Sequence, residues 1–357
     1  MNVHLQPISF RKYSLILIYS LLVMAMIAWC MEFYFEKLYG DLTRIGNFPE
    51  RSFGWQAPQP AIPQDNFKDY SLNDADILII GDSFSVSRVW QSKLIADGLK
   101  VSTIVWQELK TDEAMRADLG EALRAAGFKG RYVIIESIER LFQKRMQVLS
   151  PIREPIVKHD VIINSNYPLF PFINRELFSF NKLNGADWGV KALYNTIKLS
   201  LDLPEKHLKS GAVQAVKFDG CQLFSHRLCD YAIFVDGDFK KDTFNSIDNV
   251  LTVNKSLQTA GIQPIWLVVP DKSTVYLGYG KLNKHPYQNI WQKLAEYPEI
   301  IAPDIGTPFM QQSHLIKDFY MPNDTHLSTN GFLYLGDFMS KGLHKLQANQ
   351  PNPFLPN

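Results

Sequence analysis

Three residues have the types and the placement needed for nucleophilic catalysis. Ser83 follows "ILIIGD", an apolar run ended by a glycine and an acid, while Asp324 and His326 stand two apart in "YMPNDTHLSTNGF" (320–332). A serine hydroxyl titrates far above neutrality and attacks only when a base is held against it. In extended backbone, positions i and i+2 project to the same side. Asp324 is therefore expected to bond one imidazole nitrogen of His326 while the other nitrogen faces Ser83. In such a triad serine attacks, histidine carries its proton, and aspartate fixes the tautomer and stabilises the imidazolium. The competing roles are a helix cap for Ser83 and a structural histidine at 326, the latter opposed by the acid two residues earlier. Asp82 is expected to bond loop amides.

Further candidates for oxyanion or substrate contacts lie near the ends of apolar runs. They are Ser83 through its own N–H, Glu136 and Ser137 in "RYVIIES", Arg140 one turn later, Lys272 and Tyr276 in "VVPDKSTVY", and Trp106 ending "VSTIVW". Trp106 suits a core more readily than a sugar platform, and Arg140, Lys272 and Tyr276 suit a solvated surface as readily as a site. No CxxC-type metal spacing occurs, and neither metal nor cofactor is expected.

The elements that must position these groups alternate. Short buried strands are read at 75–80, 101–106, 131–137, 264–269 and 299–305, with helices at 84–97, 113–126, 243–260, 287–297 and 329–347. Strands alternating with helices imply a three-layer α/β/α sandwich around a mainly parallel, flavodoxin-like sheet. In such sheets reacting groups gather beyond the carboxyl ends of the strands. Residues 145–230 show no clean repeat and many aromatics, and are read as a long insertion after the third strand. The catalytic domain is placed at 75–347, with a tail at 348–357.

Residues 13–31, "YSLILIYSLLVMAMIAWCM", carry no charge and as a helix cover roughly 28 Å, enough to cross a hydrocarbon core. Arg11 and Lys12 precede them, which holds residues 1–12 in the cytoplasm and sends the remainder outward. An uncleaved signal-anchor is favoured over a signal peptide, because the run is long and no A-x-A-like site follows. Residues 32–74, rich in proline, are read as an irregular linker. Net charge is +1 over 357 residues, which gives no reason to expect nucleic acid or another polyanion. Cys221 and Cys229 bracket "CQLFSHRLC", and a local disulfide is expected in an oxidising compartment.

"GDSF" after a first strand, with Asp and His in a "DTHLS…G" block near the C-terminus, resembles the SGNH hydrolase superfamily. The nearer likeness is to the membrane-anchored alginate O-acetyltransferases (AlgJ/AlgX-type) that acetylate bacterial exopolysaccharides. "VIIESIER" (133–140) is similar to a strand of that group ending in Glu with an Arg one turn on, and "VVPDKSTVY" (268–276) to its Pro-x-Lys block ending in Tyr. The D-x-H spacing matches this group better than the D-x-x-H of most SGNH esterases, and the likeness covers about residues 40–345. The chain departs from the superfamily in lacking a G-x-N-D block; "IESIE" stands there, so only the Ser83 N–H is assigned to an oxyanion hole. The resemblance implies an acetyl group taken onto Ser83 and passed to a sugar hydroxyl of an exopolysaccharide. It implies a membrane-bound O-acyltransferase as acetyl donor and a periplasmic domain tethered to a bacterial inner membrane. The alternatives are a carbohydrate acetyl esterase using the same triad and a non-catalytic scaffold.

Overall fold

The computed structural model describes residues 10–35, 40–109, 114–150, 155–156, 185–201, 207–239, 243–278, 289–348 and 354. In chain order it contains α1 (Phe10–Phe35), α2 (Asp41–Gly46), α3 (Glu50–Phe53), β1 (Ile77–Gly81), α4 (Ser83–Val86), α5 (Gln91–Ala96) and β2 (Val101–Val105). Next come β3 (Met115–Arg116), α6 (Leu119–Ala125), β4 (Tyr132–Ile138), α7 (Glu139–Gln147), β5 (Leu149–Ser150), α8 (Gly185–Ser200), β6 (His207–Ser210), β7 (Val213–Lys217) and β8 (Tyr231–Val235). The chain then forms α9 (Ile247–Thr259), β9 (Gln263–Val269), α10 (Lys272–Leu277), α11 (Ile290–Ala295), α12 (Gly306–Ser313) and α13 (Thr329–Gln347).

The central sheet has the order β2-β1-β4-β9, all parallel, with Ile79 aligned to Thr103 on one side and Ile134 on the other, and Ile134 aligned to Ile265. Its strands are near-continuous apolar runs because helices cover both faces. Ile77, Ile79, Ile134 and Leu267 pack with Trp90, Leu94, Phe309, Phe332 and Leu335 on one side. Leu78, Ile80, Val133 and Trp266 pack with Leu123, Phe142, Val253 and Trp291 on the other. From β1 the chain turns outward to β2, then returns to β4 on the opposite side. The strand order therefore reverses between β1 and β4, whose carboxyl ends form the crevice where α/β sheets place their sites.

Several expected elements differ. The helix expected at 84–97 is two short helices, because Arg88 adopts φ 55° and breaks the run; its guanidinium holds Asp69 at 2.7 Å. Of the helix expected at 113–126, the described residues form only Leu119–Ala125, after β3 pairs with β5. Residues 299–305 are not a strand: Ile301 accepts one bond from Trp266 N at 2.8 Å, and Pro303, without an N–H, prevents a ladder. Glu136 and Ser137 lie inside β4 rather than past it. Helices α7, α8, α10 and α12 have no counterpart among the expected elements.

Between α7 and α9, residues 207–235 form a three-stranded antiparallel sheet in the order β6-β7-β8. Cys221 and Cys229 are joined in a disulfide in its β7–β8 connection. The aromatic stretch at 166–180 lies outside the described residues, as do residues 1–9 of the expected tail and all of 349–357 except Phe354. Residues 40–54, expected to be irregular, form α2 and α3, because Leu42, Phe48 and Phe53 fill a core cluster with Val213, Ala215, Ile233 and Leu199. Helix α1 is long and apolar enough to cross a membrane over Phe10–Met31.

Candidate active site

Strand β1 ends at Gly81, and the turn that follows is held by side chains from neighbouring elements. Asp82, not Ser83, caps α4, its Oδ1 accepting from Phe84 N at 3.0 Å. Its Oδ2 accepts from Ile138 N at 2.9 Å and from Arg145 Nη1 at 2.6 Å. Its own N–H donates to Glu136 Oε2 at 2.9 Å. The ends of β1 and β4 are thus tied across the crevice, and Ser83 is left exposed at the tip. A β-carbon at position 81 would lie 2.4 Å from Ser85 Oγ and 2.7 Å from Glu136 Oε2, so glycine is required for this approach. Burial opposes the charge on Asp82, but Arg145 and the amide bonds outweigh it and hold the carboxylate below its ordinary range.

The base arrives from 243 residues away in the chain. Ser83 Oγ–H donates to His326 Nε2 at 2.7 Å, and His326 Nδ1–H donates to Asp324 Oδ1 at 2.6 Å. The aspartate accepts at Nδ1, so Nε2 is the nitrogen left to take the serine proton. His326 N also donates to Asp324 Oδ1 at 3.0 Å, and the Phe84 ring packs 4.8 Å from the imidazole. Burial favours neutral His326, but the charge and hydrogen bond of Asp324 prevail and raise its pKa. Asp324 moves the opposite way: burial pushes it up, while His326 and the amide bonds pull it below the ordinary carboxylate range. The pair is polarised as a general base requires.

Two residues hold the Asp324–His326 turn from behind. Asp41, at the start of α2, accepts from Thr325 N and Thr325 Oγ1, both at 2.9 Å, while its own N–H donates to Asp324 Oδ2 at 3.1 Å. Burial, then the charge of Asp324, pushes the Asp41 carboxyl up to about 6. Lys272 reaches the turn from α10, its Nζ donating to the carbonyls of Met321 at 2.8 Å, Pro322 at 3.0 Å and Asp324 at 3.3 Å. That ammonium also lies 5.2 Å from the centre of the Phe224 ring, and burial pushes its pKa down to about 7. Asn323 completes the junction: its carbonyl accepts from Leu42 N and Thr43 N, and its amide donates to Glu50. Asp41, Asp324 and His326 offer ligand atoms within 4.8 Å of one another, but the hydrogen bonds above already engage each of them.

The remaining candidates take supporting rather than substrate-facing places, because they are buried with partners inside the protein. Glu136 is fully buried and also accepts from Ser85 Oγ at 2.8 Å; burial and the Asp82 charge raise its pKa well above the carboxylate range. Ser137 is fully buried and accepts from Arg145 Nη1 at 2.6 Å. Trp106 is fully buried and donates to the Glu136 carbonyl at 2.9 Å. Tyr276 is buried and its hydroxyl accepts from Tyr320 N at 3.1 Å. Lys272, 1 % exposed, belongs to this group as well. Arg140 alone is partly open, at 18 %, and pairs with Asp271 and Asp238. Its pKa is held above the ordinary arginine value, their charges outweighing burial. Sequence reasoning missed Asp41 and Arg145. No spacing or local pattern marks either one, since their partners lie far off in sequence.

The chain matches no family model, no curated protein and no solved structure.

Proposed function

We propose that this protein is an SGNH-type O-acetyltransferase that modifies an exported polysaccharide through an acetyl-Ser83 intermediate. The observation that carries this reading is the unbroken relay Ser83–His326–Asp324, with bonds of 2.7 and 2.6 Å. In the first half-reaction His326 takes the Ser83 proton as Oγ attacks the donor carbonyl, then protonates the departing group. In the second it takes the proton of an acceptor hydroxyl, which attacks the acetyl-serine, and returns a proton to Oγ. The Ser83 N–H is assigned to the developing oxyanion. The site sits at the strand-order reversal, in keeping with a three-layer SGNH layout in which the antiparallel sheet and α8 belong to a long insertion.

Helix α1 is assigned as a single-pass anchor in a bacterial inner membrane, with the domain in the periplasm and a membrane-bound O-acyltransferase supplying acetyl groups. The resemblance to alginate acetylation proteins supports the exopolysaccharide acceptor. A carbohydrate acetyl esterase is the second reading, favoured by the exposure of Ser83, since water then competes with a sugar for the acyl-enzyme. Incubating the full-length protein in detergent with an aryl acetate, with and without oligosaccharide, separates the readings. Acetylated sugar supports transfer and acetate alone supports the esterase. Turnover unchanged by Ser83→Ala refutes both.

A further inference from the structure

Helix α8 is apolar on two opposite sides. Trp188, Ala192, Asn195 and Leu199 recur at i, i+4, i+7 and i+11 and are buried. Val190, Leu193, Tyr194 and Ile197, continued by Leu201 just past the helix, recur at i, i+3, i+4, i+7 and i+11. These five are 55, 39, 55, 47 and 64 % exposed. At about 100° per residue the two stripes are centred on opposite sides of the helix axis. The first stripe is accounted for. Trp188 and Ala192 pack with Met31 and Phe35 of α1, Leu199 joins the cluster under the antiparallel sheet, and Asn195 Nδ2 donates to the carbonyl of Asn47 at 2.9 Å. The second stripe joins none of the buried clusters formed by the described residues.

We infer that the outer stripe of α8 is immersed in the headgroup–acyl boundary of the bilayer that α1 crosses. The contact between the two helices fixes the depth. Met31 ends the apolar span and Phe35 lies one turn beyond it, so α8 meets α1 where hydrocarbon gives way to headgroups. The composition suits that layer: aliphatic side chains, a tyrosine, and Lys191 and Lys198 together on one flank, with the Lys198 ammonium 5.0 Å from the centre of the Tyr194 ring. Amphipathic tips and lysines beside an apolar stripe are the pattern of helices that lie at anionic membrane surfaces.

The consequence reaches the active site. Asn195 ties α8 to the end of α2, and Asp41 at the start of α2 holds the turn that carries Asp324 and His326. Two anchoring points, α1 and the α8 stripe, set the tilt of the domain and hence the direction in which Ser83 faces a donor embedded in the membrane. This inference rests on α1 being the membrane anchor.

The test places a bimane label at one cysteine at a time in full-length protein, in a Cys30→Ser background. The protein is reconstituted alone into vesicles of phosphatidylethanolamine and phosphatidylglycerol. The labelled positions are Ile197→Cys on the stripe, Thr252→Cys on the exposed side of α9 as an aqueous reference and Leu22→Cys within α1. Doxyl lipid is expected to quench Leu22 and Ile197 several-fold more than Thr252, and iodide to quench Thr252 several-fold more than Ile197. Leu22 in lipid with Ile197 as open to iodide as Thr252 overturns this inference alone and leaves the stripe to a protein partner. Leu22 in water overturns the anchor and this inference together.

Discussion

Replacing Asp41 by alanine removes both acceptors that hold Thr325, whose amide and hydroxyl each donate to that carboxylate at 2.9 Å. Thr325 is 4 % exposed, so water does not replace them freely. A buried donor left without a partner costs about 1–3 kcal/mol; two of them make the expected loss about 2–6 kcal/mol. Because Thr325 adjoins His326, a displacement of about 1 Å in this turn is expected to lower kcat by about 10²-fold. Asp41→Asn separates geometry from charge: its carbonyl oxygen still accepts from Thr325 N, but the negative charge is gone. Asp41 is pushed up from 3.8 to about 6 by burial and then by Asp324. A carboxyl raised in the folded state contributes stability that is fully present below its unfolded pKa and lost as pH rises through the folded value. At about 1.4 kcal/mol per pH unit, that gap is worth about 3 kcal/mol. The wild type should therefore gain about 3 kcal/mol over Asp41→Asn when pH falls from about 7 to below about 4. Urea unfolding at both pH values, with kcat and KM for aryl acetate hydrolysis, measures each effect. An alanine variant with wild-type unfolding and kcat, or an asparagine variant that tracks the wild type at both pH values, refutes the reasoning.

Asp324→Asn is expected to lower kcat by about 10⁴-fold, because the amide no longer fixes the tautomer of His326. Asp324 also raises the His326 pKa against burial. The acid limb of the kcat/KM profile should accordingly lie above that of an ordinary histidine in the wild type and move to lower pH in the variant; a limb that does not move counts against the pair. Lys272→Met removes the donor to the carbonyls of Met321, Pro322 and Asp324 and should lower kcat by about 10²-fold with little change in KM. Burial pushes Lys272 down to about 7, while the unfolded chain keeps its proton to about 10.4. Unfolded chains bind more protons in that window, so wild-type stability should rise with pH from about 7 to about 10, and the methionine variant should lack this rise. Parallel slopes in urea titrations would contradict it.

What could be read from the sequence was local. Continuous apolar runs marked β1, β2, β4 and β9, because a parallel sheet covered on both faces needs no polar alternation. The helical period marked α9 and α13, and the pair Asp324–His326 was visible because i, i+2 geometry needs only three residues. Chemistry alone required that a base meet Ser83. The details that hold the site required the folded chain. Asp41 meets Thr325 across 284 residues, and Lys272 meets the Asp324 carbonyl across 52. The same is true of the broken helix after Ser83, set by φ at Arg88 and its ion pair with Asp69. Burial decided the rest: Glu136, Ser137, Trp106 and Tyr276 have the chemistry of site residues, yet the packing of β4 and of the helices around it turned them inward. Periodicity records which face of an element is apolar, whereas the choice of far partner is made by shape and unpaired hydrogen-bonding groups that meet only after the sheet has assembled.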